Sequence, residues 1–184
     1  MALVESLSLE LGQQMPTFTL WDPDNRQVLA EDYAGSKGLL LVFTCNHCPY
    51  AQPIWNRLID LANNIQPQGV GTIAINPNLH PNYPDDSPSE MKKVIQARQL
   101  KFPYLVDAGQ EVARAYQAQC TPDLYLLDKN FSLLYHGRFD DNWKDPDLVK
   151  HHDLRDAVEA LVNGRPISAK QFPSMGCSIK WRDA

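Results

Sequence analysis

The sequence predicts an α/β fold, a mixed central sheet with helices on both faces. Three observations carry that prediction. Residues 39–43 and 70–75 are continuously apolar and strand-length, the character of strands buried on both faces. Segments with apolar residues at helical spacing come after each of them, so the front half alternates strand and helix. The back half carries two short extended runs flanking Asp128-Lys129-Asn130, which reads as a hairpin.

Taken in order, residues 12–29 read as short extended pieces, Phe18-Thr19-Leu20 and Val28-Leu29, separated by a turn at Asp22-Pro23-Asp24-Asn25. The apolar run after Gly38 leads directly into Cys45 and Cys48. From Pro53 the pattern turns helical, with Ile54, Leu58, Leu61 and Ile65 on one stripe. After the second strand comes a Pro- and Asn-rich loop over residues 76–86, long enough to suggest a functional reason. Ser87-Pro88-Ser89-Glu90 has the form of a capping box opening a helix that runs to about Leu100. Tyr104-Leu105-Val106 is a short strand and residues 110–118 a short helix. Leu154, Ala157, Val158 and Leu161 mark a final helix that stops near Gly164.

With 184 residues the chain suits one domain, read as 1–184 with 165–184 as a C-terminal extension. Hydrophobic and charged fractions of 43% and 21% are those of an ordinary globular protein. The formal charge of −5, with scattered Lys and Arg, argues against nucleic acid as a partner. No apolar run reaches bilayer-spanning length, so no membrane partner is expected. The opening Met1-Ala2-Leu3-Val4-Glu5-Ser6 lacks a basic region and an unbroken apolar stretch, and a cytoplasmic location is expected. Four cysteines in a protein this long are not a disulfide scaffold; in a reducing compartment they serve catalysis, bind metal or are simply buried.

The Cys45-x-x-Cys48 spacing implies thiol–disulfide redox chemistry. With a strand ending at Phe43 and a helix starting between Pro49 and Pro53, both thiols are expected at a helix N-terminus. Free N–H groups and the helix dipole there stabilise an anion, and can draw a thiol from about 8.5 into the range of roughly 3.5–7.5. The two-residue spacer lets Cys48 reach Cys45 and resolve a mixed disulfide. Asn46 and His47 would tune the pair, His47 by favouring the Cys45 thiolate. Ordinary buried cysteines, or half of a zinc site, are the other readings; a zinc site wants a second ligand pair, and Cys120 and Cys177 are solitary.

The run Phe43-Thr44-Cys45-Asn46-His47-Cys48-Pro49, with Pro53 beyond it, resembles the thioredoxin-like superfamily. More narrowly, the sequence is similar to the redoxin branch of alkyl hydroperoxide reductase/thiol-specific antioxidant proteins, related to the peroxiredoxins. Residues 12–20 are similar to that branch's opening strand, Phe102-Pro103-Tyr104-Leu105-Val106-Asp107 to its central F-P-x-L-x-D motif, and residues 120–128 to its cis-proline strand. The resemblance implies a thioredoxin-like fold with extra N-terminal strands and a C-terminal tail. It also implies a cis Pro122 against the dithiol, with Thr121 offering backbone groups to a thiol or peptide substrate. Two departures matter. Thr44 has Leu40 four residues before it and His47 three after it, so the peroxidase pattern P-x-x-x-T-x-x-C fails at both ends. The arginine that peroxidase members place before that strand is replaced by Thr121-Pro122. Thioredoxin's W-C-G-P-C is absent too, with Thr44 where the Trp would be.

These features imply an oxidoreductase in which Cys45 attacks and Cys48 resolves, with no cofactor or metal. Its partners would be a thiol electron donor of thioredoxin or glutathione type and a disulfide or peroxide substrate. The alternative is a peroxiredoxin-like antioxidant in which Cys45 becomes a sulfenic acid. A thiolate metal module using Cys45, Cys48 and Cys120 or His47 is a third reading. Cys120, two residues before Pro122, is either a further redox thiol or a small buried residue. Cys177 is either an extra resolving thiol on a tail that folds back or a packed, inert one. His80, His151 and His152 read as surface or cap residues, Arg138 as a surface ion-pair partner, and Asp140, Asp141, Asp145 and Asp147 as a solvated acidic loop.

Overall fold

A computed structural model describes residues 3–182. Its elements are β1 (Leu3–Glu5), β2 (Thr19–Trp21), β3 (Gln27–Leu29), α1 (Ala30–Tyr33), β4 (Gly38–Phe43), α2 (Trp55–Ile65), β5 (Val70–Asn76), α3 (Pro88–Arg98), β6 (Tyr104–Val106), α4 (Glu111–Ala115), β7 (Cys120–Thr121), β8 (Asp123–Asp128), β9 (Leu133–Gly137), α5 (Asp153–Val162) and β10 (Met175–Ser178). The main sheet has seven strands in the order β3-β2-β6-β5-β4-β8-β9. β4 and β5 are parallel, as are β5 and β6, and the outer pairs are antiparallel, which makes the sheet mixed. Among the described residues no helix is long and apolar enough to cross a membrane.

Helices cover both faces of the sheet because alternate residues of its central strands point opposite ways. Leu39, Leu41 and Phe43 of β4 pack with Ile73, Ile75 and the α4 residues Val112 and Ala113. Leu40 and Val42 pack with Trp55 and Leu58 of α2, Met91 of α3 and Leu154 and Val158 of α5. The β8–β9 hairpin turns where Asp128 Oδ1 accepts from the backbone of Asn130 and Ser132, both at 2.8 Å.

Three local expectations are corrected. The capping box does not form: Ser87 opens α3 with its carbonyl, accepting from Met91 N, while its hydroxyl bonds Ser89 Oγ at 3.0 Å. The acidic loop is not simply solvated. Asp140 is buried against the Arg57 guanidinium, whose other nitrogen donates to Trp143 O at 2.6 Å. The tail also carries a strand of its own. β10 lies between β1 and β7 in a separate three-stranded antiparallel sheet. Gln110 anchors the residues after β10, donating to Lys180 O at 2.8 Å and accepting from Arg182 N at 3.0 Å.

Candidate active site

Cys45 and Cys48 sit in the turn after β4, where Thr44 N donates to Ile75 O and extends the ladder by one bond. Both are fully buried. The Cys48 carbonyl accepts from Ala51 N at 3.1 Å and Gln52 N at 3.0 Å, and a single 3₁₀ turn, Gln52–Ile54, precedes α2. The thiols therefore do not sit at the N-terminus of an α-helix, which corrects the expectation from the sequence. Pro49 and Pro53 have no N–H to donate, and the chain makes tight turns before the helix can start at Trp55.

Thr121 faces both sulfurs across the cleft, and the Thr121–Pro122 bond is cis, as the resemblance implied. Cys45 Sγ lies 3.4 Å from Thr121 Oγ1, and the Cys48 thiol donates to Thr121 O at 2.9 Å. Asn46 ties the motif to the loop after β5. Its backbone N–H donates to Asp86 Oδ1 at 2.6 Å, its side-chain amide donates to Asp85 O at 2.8 Å, and its Oδ1 accepts from the Tyr104 hydroxyl at 3.1 Å. His47 Nδ1 is 3.6 Å from Cys45 Sγ and also contacts Asp86, while its ring stacks on Tyr83 with centroids 4.7 Å apart. Both contacts fall on one nitrogen, so the ring does not relay a proton between Cys45 and Asp86 through its two ends.

The electrostatics differ from the expectation that Cys45 would be the stabilised thiolate. Burial pushes the Cys45 thiol well above the ordinary range, and the hydrogen bond with Cys48 and the Asp86 charge push the same way. The hydrogen bond from Cys45 lowers Cys48 from 9.0 to about 5, with bonds from Cys177 and Thr121 opposing its burial. The Thr121 carbonyl at 2.9 Å favours a protonated Cys48 and works against that. The result belongs to the pair: one proton leaves easily, the second stays on, and the remaining proton bridges the two sulfurs. The reduced pair is therefore expected to be neutral below about pH 5 and to carry one negative charge above it. The stabilisation this gives the reduced fold is complete above the ordinary thiol value of 9.0 and is lost as pH falls through about 5. Thiolate absorbance near 240 nm should rise by one equivalent through that region. A first rise only above pH 8 would contradict the shared proton.

The other sequence candidates fall into place unequally. Cys120 is buried with its thiol directed at Pro122 O, 3.5 Å away, and burial raises it far out of the reactive range, as befits a small core residue. Cys177 is 1% exposed and packs in one cluster with Cys45, Cys48 and Ala51. Arg138 pairs with Asp153 at 2.8 Å. A candidate metal set emerges that differs from the anticipated one. Cys45, His47 and Asp86 bring a sulfur, a nitrogen and a carboxylate oxygen within 4.8 Å of one another, and Cys120 is not among them. Asp86 was missed because nothing in a Pro-rich loop forty residues beyond the motif marks one acid over its neighbour Asp85. A cleft of about 280 Å³ opens beside Pro122, lined by Ile54, Phe139, Trp143 and Met175 among others; the two sulfurs do not line it.

A dithiol on a two-residue spacer, packed against a cis proline at the end of a central strand, defines a redox protein of thioredoxin-like fold. The comparisons agree. The chain belongs to the AhpC/TSA family, whose model matches residues 11–136. It is similar to the thiol-disulfide oxidoreductase ResA of Geobacillus thermodenitrificans, 30% identical over 132 residues that make up 68% of each chain. ResA of Bacillus thuringiensis is 27% identical over 125 residues, and the match covers 66% of each chain, just under two thirds of that relative's length. Among solved structures, an uncharacterized conserved protein from Geobacillus kaustophilus superposes with a TM-score of 0.93 at 42% identity, covering 100% of this chain and 98% of that one. The thioredoxin domain of a thiol-disulfide oxidoreductase from Bacteroides vulgatus matches with a TM-score of 0.64 at 19% identity, over 85% of this chain and all of that one, a likeness of fold alone.

Proposed function

We propose that this protein is a thiol–disulfide oxidoreductase in which Cys45 attacks a substrate disulfide and Cys48 resolves the mixed disulfide. The observation that carries the reading is the hydrogen-bonded Cys45–Cys48 pair held against Thr121 and the cis Pro122. Both sulfurs are buried, and the role of Cys45 follows from its neighbours. Cys48 is backed by Thr121 O and Cys177, whereas Cys45 lies on the side of the half-buried His47. After the attack, the Cys48 sulfur displaces the substrate thiol from Cys45 and the dithiol closes to a disulfide. A thiol donor of thioredoxin or glutathione type reopens it, and the reducing cytosol suits a pair that must be reopened. The stabilised first thiolate favours the reduced form, which makes the disulfide the more oxidising. The test is turnover of insulin disulfides with dithiothreitol or a thioredoxin system as donor. A reduced protein that accelerates neither reaction sinks the proposal.

Membership of the AhpC/TSA family supports peroxide as a second substrate class. Cys45 would then pass through a sulfenic acid that Cys48 condenses with, an antioxidant role. Against it stand the failure of the P-x-x-x-T-x-x-C pattern at Leu40 and His47 and the lack of an arginine before Pro122. Peroxide consumption by the reduced protein faster than its disulfide exchange would reverse the order of the two readings.

A further inference from the structure

The family model ends at residue 136, and nothing in the dithiol reaction uses the residues beyond it. Yet the tail returns to the site. β10 pairs antiparallel with β7 so that Cys177 stands opposite Thr121, the residue whose carbonyl and hydroxyl meet the two redox sulfurs. Gly176 makes that approach possible. A Cβ there would run into Thr121 O, lie 2.6 Å from Thr121 C and come 3.1 Å from Pro122 N, so no larger residue could bring the strand this close to the cis bond. On its other side β10 is paired to β1, so Cys177 is carried by the central strand of a sheet rather than by a loose end.

The three sulfurs are ordered. Cys48 interacts with both Cys45 and Cys177, and the three cysteines pack together in one buried cluster. Cys48 is therefore the sulfur that both of the others touch, and Cys177 reaches it from the β10 strand opposite Thr121. Disulfide exchange needs this arrangement: the attacking sulfur, the sulfur attacked and the departing sulfur in sequence.

We propose that Cys177 is a third redox thiol, which attacks Cys48 in the oxidised pair to give a Cys48–Cys177 disulfide and return Cys45 to the free thiol. The proposal rests on the dithiol reading, which supplies the Cys45–Cys48 disulfide by reduction of a substrate. The Cys177 sulfur forms a bond to Cys48 Sγ, and the Cys45–Cys48 bond breaks. Its electron pair leaves on Cys45, which takes up the proton that Cys177 gives up. No further oxidant is consumed, because one disulfide replaces another. In the reduced protein burial, the hydrogen bond to Cys48 and the Cys48 charge hold the Cys177 thiol up at about 12. Once Cys48 is in a disulfide, the hydrogen bond with it and its charge both disappear, leaving burial to raise Cys177 and the Lys180 charge to oppose it. Oxidation of the pair thus arms the third thiol. The oxidised protein then holds its disulfide between the Cys48 turn and β10, and Cys45 is a free thiol again.

The test is disulfide mapping by mass spectrometry after brief treatment with hydroxyethyl disulfide or diamide and acid quenching with an alkylating agent. Two proteins are compared, the wild type and Cys45→Ser. The wild type is expected to contain both Cys45–Cys48 and Cys48–Cys177 linkages, with Cys45 alkylated in the second population. Cys45→Ser is expected to form Cys48–Cys177 in most molecules, leaving Cys120 as its one alkylated cysteine. If Cys45→Ser keeps Cys48 and Cys177 as separate thiols or separate mixed disulfides while the wild type forms Cys45–Cys48 alone, the relay is overturned and the dithiol reading stands. If the wild type forms neither the Cys45–Cys48 nor the Cys48–Cys177 linkage, both fail.

Discussion

Cys45→Ser is expected to abolish disulfide turnover, and Cys48→Ser to stop it halfway. The two losses differ in kind because the sulfurs stand in a fixed order. Without Cys45 the sulfur that carries the mixed disulfide with a protein substrate is gone, and Cys48 and Cys177 can only close on one another when a small oxidant reaches them. Without Cys48, Cys45 still attacks, but the only route out of the mixed disulfide is a second external thiol. Intramolecular displacement enjoys effective concentrations on the order of 10⁵ M or more, against millimolar free thiol. Steady-state turnover in Cys48→Ser should therefore fall by at least about a thousandfold. A covalent adduct with the substrate thiol, one per protein, should accumulate and be visible by intact mass. Turnover by Cys48→Ser within tenfold of wild type would show that the pair does not act as a unit.

Asp123→Ala is expected to cost about 3–5 kcal/mol of stability, lowering the melting temperature by roughly 10 °C. Asp123 opens β8 just after the cis bond and is fully buried. Its Oδ1 pairs with His136 Nε2 on β9 at 2.8 Å, and its Oδ2 accepts from the Tyr125 hydroxyl at 3.2 Å and from Gln119 N at 3.3 Å. Tyr125 and His136 are stacked with centroids 4.1 Å apart, so the His136 ring cannot turn to find another partner without disturbing Tyr125. Truncation takes the acceptor from the buried His136 Nε2 and from the part-buried Gln119 N, while the Tyr125 hydroxyl keeps Tyr116 O at 3.1 Å, and the penalty of the orphaned imidazole exceeds the value of any one hydrogen bond. Asp123→Asn, which keeps an acceptor oxygen, should lose distinctly less. Thermal melts followed by circular dichroism measure both, and equal losses in the two variants would place the cause in packing instead.

The order of strands and helices was readable because the central strands are apolar on both faces and the helices on one, and periodicity reports those two patterns directly. The redox pair was readable for the same reason, being a local motif on a known strand end. What escaped was set by partners distant in the chain. Asp86 matters because Asn46 and His47 come to it. Asp140 is buried because Arg57 crosses from α2 to meet it. Asp123 and His136 find each other across the β8–β9 ladder, whose register shifts between Leu126 and Leu127. β10 reads as a poor strand, Met-Gly-Cys-Ser, because its stability comes from being clamped on both edges and its glycine serves close approach rather than propensity. The helix N-terminus expected under Cys45 failed on two prolines that were visible all along; their missing N–H groups push α2 seven residues past Cys48.

The clamp formed by β1, β10 and β7 also sets when the site can be finished during synthesis. Cys45, Cys48 and the Thr121–Pro122 turn can come together once the first two-thirds of the protein has left the ribosome, with the Thr121 edge still open. The sheet that closes that edge joins a strand from the first five residues to one from the last ten. A nascent polypeptide passes through a stage in which its thiols can meet any passing thiol or disulfide, and only the arrival of β10 seals them. Polypeptides cut short before Met175 would stay in that open stage for good.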